Sequence, residues 1–452
     1  MYIKRAIYQQ LIDWKNESGH STLEVRGARQ VGKTYIINKF TDENFKHKIN
    51  ISFFEPSGKC FLEAYHTATS WTPGTPRPEH PLGDAFRLFY PAFEDTEDTV
   101  IIIDEIQESA EIYNCIREFT RQFRCRFILA VSYPGKTAGP DFRFSCGDVT
   151  CITMYPLSFE EYLAAVDTEL FQLYLLVGNS VFEDKNYYEQ LKQLYDTYCK
   201  IGGYPSVVEK YLTSSSMETA TKELTRIIET FLNESMCYFT DILDVSVFTD
   251  IFLNICQILA RERKGLGQDS IGEELQKLVV KDSTSNLSKA TVIRAINWLY
   301  HSGIIGFCGK IVELDILDFK PGRRCYFMDL GIANFYMTQV GLDKASINGA
   351  LNENYVYINL SKRLDFPQQI AFETPAFATY KNGEIDFYVQ SLKERKRYVV
   401  EVKSGRQPGN TAKKALEDGK ADYLLYLKGN THGGIEGKTI TRPIYTLERF
   451  LF

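Results

Sequence analysis

The stretch Thr22-Leu-Glu-Val-Arg-Gly27-Ala28-Arg29-Gln30-Val31-Gly32-Lys33-Thr34 decides how this chain folds. Thr22 to Arg26 reads as a short strand, Gly27 to Gly32 as a glycine-bearing turn, and Thr34 to Phe40 as a helix. The pattern GxxxxGK[ST] between a strand and a helix has a definite physical use. Glycines let successive backbone N–H groups curl around phosphate oxygens, and the helix N-terminus adds positive potential. On this reading Gly27, Ala28, Arg29, Gln30, Val31 and Gly32 cradle a triphosphate, Lys33 neutralises its β- and γ-phosphates, and the Thr34 hydroxyl ligates Mg²⁺. The bland alternative is a chance glycine turn. Strand, helix and Lys-Thr pair together weigh against it.

The next strand of consequence is Val100-Ile-Ile-Ile-Asp104-Glu105. Four apolar residues ending in two carboxylates describe a central parallel strand with Asp104 at its C-terminal end. Ligands of open α/β sheets bind at that edge. Asp104 is then a Mg²⁺ holder, usually through water, and Glu105 the group that orients and polarises the attacking water. A third strand, 126–131, ends at Ser132, whose hydroxyl either touches the γ-phosphate or the water or merely starts a turn. Arg117, Arg121, Arg124 and Arg143 are candidates for an arginine supplied by a neighbouring subunit, and the sequence does not choose among them. Strands alternating with helices predict an α/β fold of the P-loop kind, with a parallel sheet.

Composition bounds the rest. At 452 residues the chain is long enough for two to four domains. Hydrophobic residues at 44% and charged ones at 24% exclude a mostly disordered or fibrous chain. A net charge of -6 excludes a globally basic nucleic-acid coat, though not a local basic groove. No run approaches the ~20 apolar residues of a membrane helix, the N-terminus lacks a secretory apolar stretch, and the scattered cysteines form no CxxC pair. A cytoplasmic protein with reduced thiols is expected.

Along the chain, Ile7, Leu11, Ile12 and Trp14 predict an amphipathic first helix. Residues 56–98, with four prolines between 73 and 81, predict an irregular excursion around one short helix. Helix 107–122 and strand 126–131 follow. From 156 to 245 the chain reads as helical, broken at Gly202-Gly-Tyr-Pro205. Residues 246–320 read as three helices and a hairpin, the order of a winged helix-turn-helix. The third helix starts near Ser288 and carries Lys289 and Arg294, so its polar face suits a DNA groove. Acidic and basic residues balance across this segment, so a packing or oligomerisation role is an equal alternative.

Farther on, Gly383-Glu-Ile-Asp386 and Val399-Val-Glu401-Val-Lys403 alternate as strands around the turn 391–396. A symmetric turn makes paired positions sum to 787, so Asp386 faces Glu401 and Glu384 faces Lys403. Facing carboxylates repel unless a cation lies between them; a divalent metal supplies one, and Lys403 is placed to activate water. The alternative is an exposed, salt-bridged hairpin with Glu384 and Lys403 paired across strands.

The chain resembles the bacterial and archaeal AAA+-type ATPases that carry a C-terminal domain of unknown function. The resemblance rests on Gly27 to Thr34, Ile103-Asp-Glu-Ile-Gln107, Met154-Tyr-Pro-Leu-Ser-Phe-Glu-Glu161, Gly202-Gly-Tyr-Pro205, Tyr326-Phe-Met-Asp-Leu-Gly331, Glu353-Asn354, Gly383-Glu-Ile-Asp386 and Val400-Glu-Val-Lys-Ser-Gly405. It implies an ATPase core over 1–155, a helical lid over 156–245, a winged helix over 246–324 and a PD-(D/E)XK nuclease-like α/β domain over 325–452. In that frame Glu353, Asp386 and Glu401 are Mg²⁺ ligands and Lys403 is a catalytic lysine. ATP and Mg²⁺ are the implied cofactors, and DNA or another nucleic acid and further copies of the chain the implied partners. A nucleotide-gated switch without cleavage is the alternative. Two departures stand out: the family's Thr-Gly-Ser at the third strand is Ala130-Val-Ser132 here, and its Gly-Arg before the Tyr-Pro-Leu-Ser-Phe run is Gly147-Asp148.

Overall fold

The computed structural model describes residues 2–17, 19–71, 79–143, 145, 147–176, 185–239, 246–261, 273–275, 277, 279, 288–364, 374–403 and 410–452. It divides into two units, Arg5–Met154 and Tyr155–Phe452, the latter with the first four residues.

In the first unit, α1 (Ile7–Asn16) buries Ile7, Leu11 and Trp14 as its spacing predicts. Among the described residues a five-stranded sheet forms from β1 (Thr22–Arg26), β2 (His47–Ser52), β3 (Thr99–Asp104), β4 (Arg126–Val131) and β5 (Val149–Thr153). The order is β2-β3-β4-β1-β5 with every pairing parallel. Val100 to Ile103 are buried, as a strand with neighbours on both sides requires. The loop after β1 and the end of β3 therefore open on one carboxyl edge of the sheet, separated by β4. β5 escaped the sequence reading, because Val149-Thr-Cys-Ile-Thr has neither a long apolar run nor a clean alternation.

Two expectations are corrected here. Residues 56–98 hold two helices rather than one: α3 (Pro56–Thr69) spans 14 residues and α4 (Pro81–Phe89) spans nine. Each starts on a proline, whose missing N–H costs nothing in a first turn, so these prolines open helices instead of breaking them. Phe61 of α3 stacks on Phe86 of α4 at 4.9 Å, and both belong to a core with Phe119 and Phe127. The prolines at 73, 76 and 78 lie outside the described residues. The expected helix 107–122 is broken into a 3-10 turn, Ile106–Glu108, and helices Ala110–Tyr113 and Ile116–Gln122.

In the second unit, helices Phe159–Val166, Lys185–Ile201, Pro205–Ser214, Met217–Tyr238 and Ser246–Arg261 precede helix Lys289–His301. That last helix is capped by Ser288, whose hydroxyl accepts from the Thr291 N–H, and it buries Val292, Ile296 and Leu299. The middle of the three helices expected in 246–320 falls largely outside the described residues. β6 (Ile305–Ile311) and β7 (Phe319–Phe327) form the antiparallel hairpin. β8 (Ala376–Tyr380), β9 (Gly383–Gln390), β10 (Arg397–Lys403), β11 (Tyr423–Lys428), β12 (Gly434–Glu436) and β13 (Thr439–Pro443) follow. All belong to one eight-stranded sheet among the described residues, ordered β12-β13-β11-β10-β9-β8-β6-β7. The hairpin assigned in sequence to a separate wing thus continues the sheet of the chain's last third, through the parallel pair β6–β8.

The β9–β10 register is the symmetric one. Gln390, Val389, Tyr388 and Phe387 pair with Arg397, Tyr398, Val399 and Val400, and each pair sums to 787. Among the described residues no helix is long and apolar enough to cross a membrane. The described cysteines are free thiols.

Candidate functional site: a phosphate cradle beside an acidic strand end

Backbone geometry explains the glycines of the loop. Gly27 has φ 152° and Gly32 φ 94°, and a Cβ on Gly27 would lie 2.1 Å from the Met154 carbonyl oxygen. No L-residue fits at Gly27 without moving the chain after β5. Gln30 also has a positive φ, 64°. The loop turns directly into α2 (Lys33–Asn44), whose first N–H groups lack intrahelical partners. Lys33 is buried, and its Nζ donates to the carbonyls of Gly27 and Ala28, both at 2.9 Å. The ammonium is thereby held over the cradle.

Across the sheet edge, the Thr34 hydroxyl donates to Asp104 Oδ2 at 2.9 Å. Asp104 Oδ1 accepts from the Glu105 N–H at 3.0 Å. Burial pushes the Asp104 carboxyl above its ordinary range; the Thr34 hydrogen bond pulls it back, Glu105 pushes it up and Lys33 lowers it. A divalent cation would reverse the balance in favour of the carboxylate. A hydroxyl and a carboxylate in direct contact are the hard oxygen donors Mg²⁺ takes, so these two residues fit the ion.

Glu105 follows with φ 53°, which turns its side chain back over the edge. Ser132 Oγ donates to Glu105 Oε1 at 2.7 Å. Gln107 Nε2 also bonds Glu105, and Arg29 Nη2 lies 3.5 Å from Glu105 Oε2. The Arg29 guanidinium sits 4.5 Å from the centre of the exposed Phe54 ring. Ser132 therefore meets the Glu105 carboxylate. Arg29 and Gln107 are neighbours of Glu105 that spacing alone did not reveal.

Of the arginine candidates, Arg121 is engaged within the unit. Its Nε and Nη2 donate to Asp148 at 2.9 and 3.3 Å. The Ser145 hydroxyl and then Arg121 hold the buried Asp148 carboxyl below the usual range. Where the resembled family has arginine, this chain has a buried carboxylate in a local ion pair. Arg143 is exposed.

In the second unit, Asp386 and Glu401 lie one step beyond the last paired residues of β9–β10. Asp386 Oδ2 accepts from the Val402 N–H at 2.7 Å. Lys403 Nζ lies 2.9 Å from Glu401 Oε2 and 3.6 Å from Asp386 Oδ2. Burial, with Asp386 adding, pushes the Glu401 carboxyl up to about 7, and the two carboxylates hold the Lys403 ammonium above its usual range against the effect of burial. Glu353 is engaged by Arg324 at 3.3 Å and by the Tyr326 hydroxyl, and Arg324 also pairs with Glu384. Burial raises the Glu353 carboxyl, opposed by Arg324.

This corrects one reading. Glu384 pairs with Arg324, not with Lys403. Asp386 lies close enough to both Glu353 and Glu401 to push each carboxyl up, while among the described residues no group of three or more His, Cys, Asp or Glu side chains is placed to hold a metal ion. The cations that relieve the carboxylates' repulsion are Lys403 and Arg324. Arg324, on β7 and stacked 3.9 Å over Phe377, carried no signal in the sequence.

Four motifs behind the resemblance hold structure. Gly203 N–H donates to Asp329 Oδ2 at 2.7 Å, and Leu157 N–H donates to the Gly203 carbonyl at 2.6 Å. The same Asp329 caps helix Leu330–Gln339. Asn354 clamps Phe327 through both its N–H and its carbonyl.

Comparison with known proteins fits this geometry. Residues 20–163 match the family model described as an AAA domain. This segment is similar to AAA domains over its whole length. Residues 192–344 match a model described as a domain of unknown function (DUF8612). No curated protein matches the chain. Among solved structures it is similar to the Walker-type ATPase PABY2304 of Pyrococcus abyssi, at 15% identity over 74% of this chain and 96% of that one, TM-score 0.43. It is also similar to the ORC1 protein of Aeropyrum pernix, solved in complex with DNA (12% identity, 77% and 92% coverage, TM-score 0.28). A third is the RuvB Holliday junction branch migration motor of Thermotoga maritima (12%, 68% and 90%, TM-score 0.29).

Proposed function

We propose that the chain is a Mg²⁺-dependent ATPase whose second unit binds a macromolecular partner under the control of the nucleotide. The observation that carries the first half is the contact of the Thr34 hydroxyl with Asp104 Oδ2 at 2.9 Å, beside a loop whose lysine is tethered to Gly27 and Ala28.

In this reading the backbone N–H groups of Gly27 to Thr34 receive the phosphate chain. Lys33 exchanges its carbonyl partners for β- and γ-phosphate oxygens. Thr34 and Asp104 would hold Mg²⁺, which supplies charge neutralisation on the transferring phosphoryl group. Glu105 accepts a hydrogen bond from the attacking water and turns it toward the γ-phosphorus. Ser132, donating to Glu105, fixes that carboxylate's orientation.

For the second unit we favour binding without cleavage. Lys403 and Arg324 already neutralise the carboxylates from which a metal-dependent nuclease site would be built. Nucleic acid is the partner class we favour, and further copies of the chain would supply an arginine in addition to Arg29, which lies beside Glu105.

Phosphate release tests the reading. Lys33→Ala should abolish turnover, and Glu105→Gln should lower kcat by about 10²–10³ while ATP still binds. Full turnover in both variants would refute hydrolysis at this site. Mn²⁺-dependent nicking of plasmid DNA that disappears in Asp386→Ala would refute the non-cleaving reading of the second unit.

A further inference from the structure

One of the three partners of Glu105 comes from the phosphate loop itself. Arg29 lies between Gly27 and Gly32, and its Nη2 reaches to 3.5 Å from Glu105 Oε2 at the end of β3. The same oxygen accepts from Gln107, and Oε1 accepts from the Ser132 hydroxyl at 2.7 Å. A carboxylate offers about four acceptor sites, so most of the capacity of Glu105 is taken within the chain. The Arg29 side chain is 19% exposed and that of Glu105 12%, so solvent ions screen the pair only weakly. The guanidinium also lies 4.5 Å from the centre of the Phe54 ring, which is 63% exposed. Phe54 thus serves as a platform, since a planar guanidinium keeps its charge while resting on an aromatic face.

These contacts set two arrangements against each other. With Arg29 on Glu105, a positive charge offsets the carboxylate that polarises the water. A triphosphate in the loop presents γ-oxygens that carry more charge than a carboxylate and match the guanidinium fork with two bonds. The contact of Arg29 with Glu105 is the longest of the three and exceeds the usual hydrogen-bond range, so it is the one most readily exchanged. A ligand moves such an equilibrium only through interactions it makes in one arrangement and not the other. The γ-phosphate is what ATP has and ADP lacks.

We propose that Arg29 is a nucleotide-sensing positioning residue: it restrains Glu105 when a diphosphate occupies the loop, and passes to the γ-phosphate when a triphosphate does, freeing Glu105 Oε2 for the attacking water. Ser132 and Gln107 remain on Glu105 in both arrangements and keep its carboxylate aimed. The inference rests on the ATPase reading of this site and adds to it a means of telling ATP from ADP.

The test is calorimetry on the full chain with Mg²⁺, titrating the non-hydrolysable β,γ-imido analogue of ATP and, separately, ADP. The wild type should favour the triphosphate. Arg29→Met should lower the ratio of the two affinities about tenfold while ADP affinity stays within about twofold. A purely structural role in the loop would weaken both nucleotides alike; an unchanged ratio in Arg29→Met would overturn the proposal. Phe54→Trp gives a second readout that leaves Arg29 in place, and it decides the matter should Arg29→Met fail to fold. Its indole emission, read as the difference from the wild type, should shift with the triphosphate analogue and not with ADP. Equal responses to the two nucleotides would overturn the proposal and leave the ATPase reading standing. A triphosphate that fails to bind the wild type at all would remove the ATPase reading and this proposal with it.

Discussion

At the scale of single residues, Lys33 and Glu105 are held by different means. Lys33 is fixed by backbone carbonyls of its own loop, so its placement follows from a six-residue spacing and was legible in the sequence. Glu105 is fixed by Ser132, Gln107 and Arg29; the sequence offered Ser132 for the phosphate or the water and Arg29 for the cradle, and showed none of the three as a partner of Glu105. Ser132→Ala should therefore lower kcat about tenfold with little change in KM, since the hydroxyl orients a catalytic group without holding substrate. A rise in KM at unchanged kcat would instead place Ser132 on the phosphate. A second residue-scale prediction concerns pH. Glu160 is pushed up to about 8, first by burial and then by Glu448, while Arg449 opposes. Glu448 itself accepts from the Phe159 and Glu160 N–H groups at 3.0 Å. The folded state thus binds a proton at Glu160 that the unfolded chain releases near the ordinary carboxylate pKa. Its contribution to stability is full below that ordinary value and is lost as pH rises to about 8. Thermal unfolding between pH 5 and 8 should show a loss on the order of 2 kcal/mol that Glu160→Gln largely removes. An unchanged pH profile in the variant would rule this out.

At the scale of elements, alternation and apolar runs located β1, β3, β4, β9 and β10, and a symmetric turn set the β9–β10 register. What local pattern could not show is where a side chain on one element meets another far along the chain. Arg324 stands 60 residues before Glu384, with two strands between theirs in the sheet, so its neutralisation of the acidic cluster was invisible. The same holds for Asp329, which ties the Gly202-Gly-Tyr-Pro turn to the helix it caps. Motifs quoted for their recurrence turn out to be joints. The prolines of 56–98 misled because proline marks a helix start as readily as a break. Phe86 anchors α4 against Phe61, Phe93, Phe123 and Phe127. Phe86→Ala should cost about 3–5 kcal/mol in denaturant unfolding; a loss under about 1 kcal/mol would show that α4 is not part of the cooperative core. Asn354→Leu strands the Phe327 N–H and carbonyl, both buried, and should cost about 2–4 kcal/mol by the same measurement.

At the scale of the whole molecule, length and composition carry no information on which segments share a sheet. A hairpin read as its own module shares a sheet with strands some 60–130 residues away in sequence, because a 3.6-residue or two-residue period carries no information about sheet partners. The proposed gating makes a prediction here. Hydrogen exchange with Mg²⁺ and ATP should slow at Gly27–Thr34 and the end of β3, and should also change within the second unit. A change confined to the first unit would leave the ATPase intact and remove the gating. The claim beneath all of this is that the loop between β1 and α2 binds a Mg²⁺-bound triphosphate together with the end of β3. Calorimetric titration of ATP into the full chain, with and without Mg²⁺, tests it most directly. The account predicts one site per chain, tighter with Mg²⁺ and lost in Lys33→Ala; heat of binding that is absent in the wild type, or the same in Lys33→Ala, would contradict it.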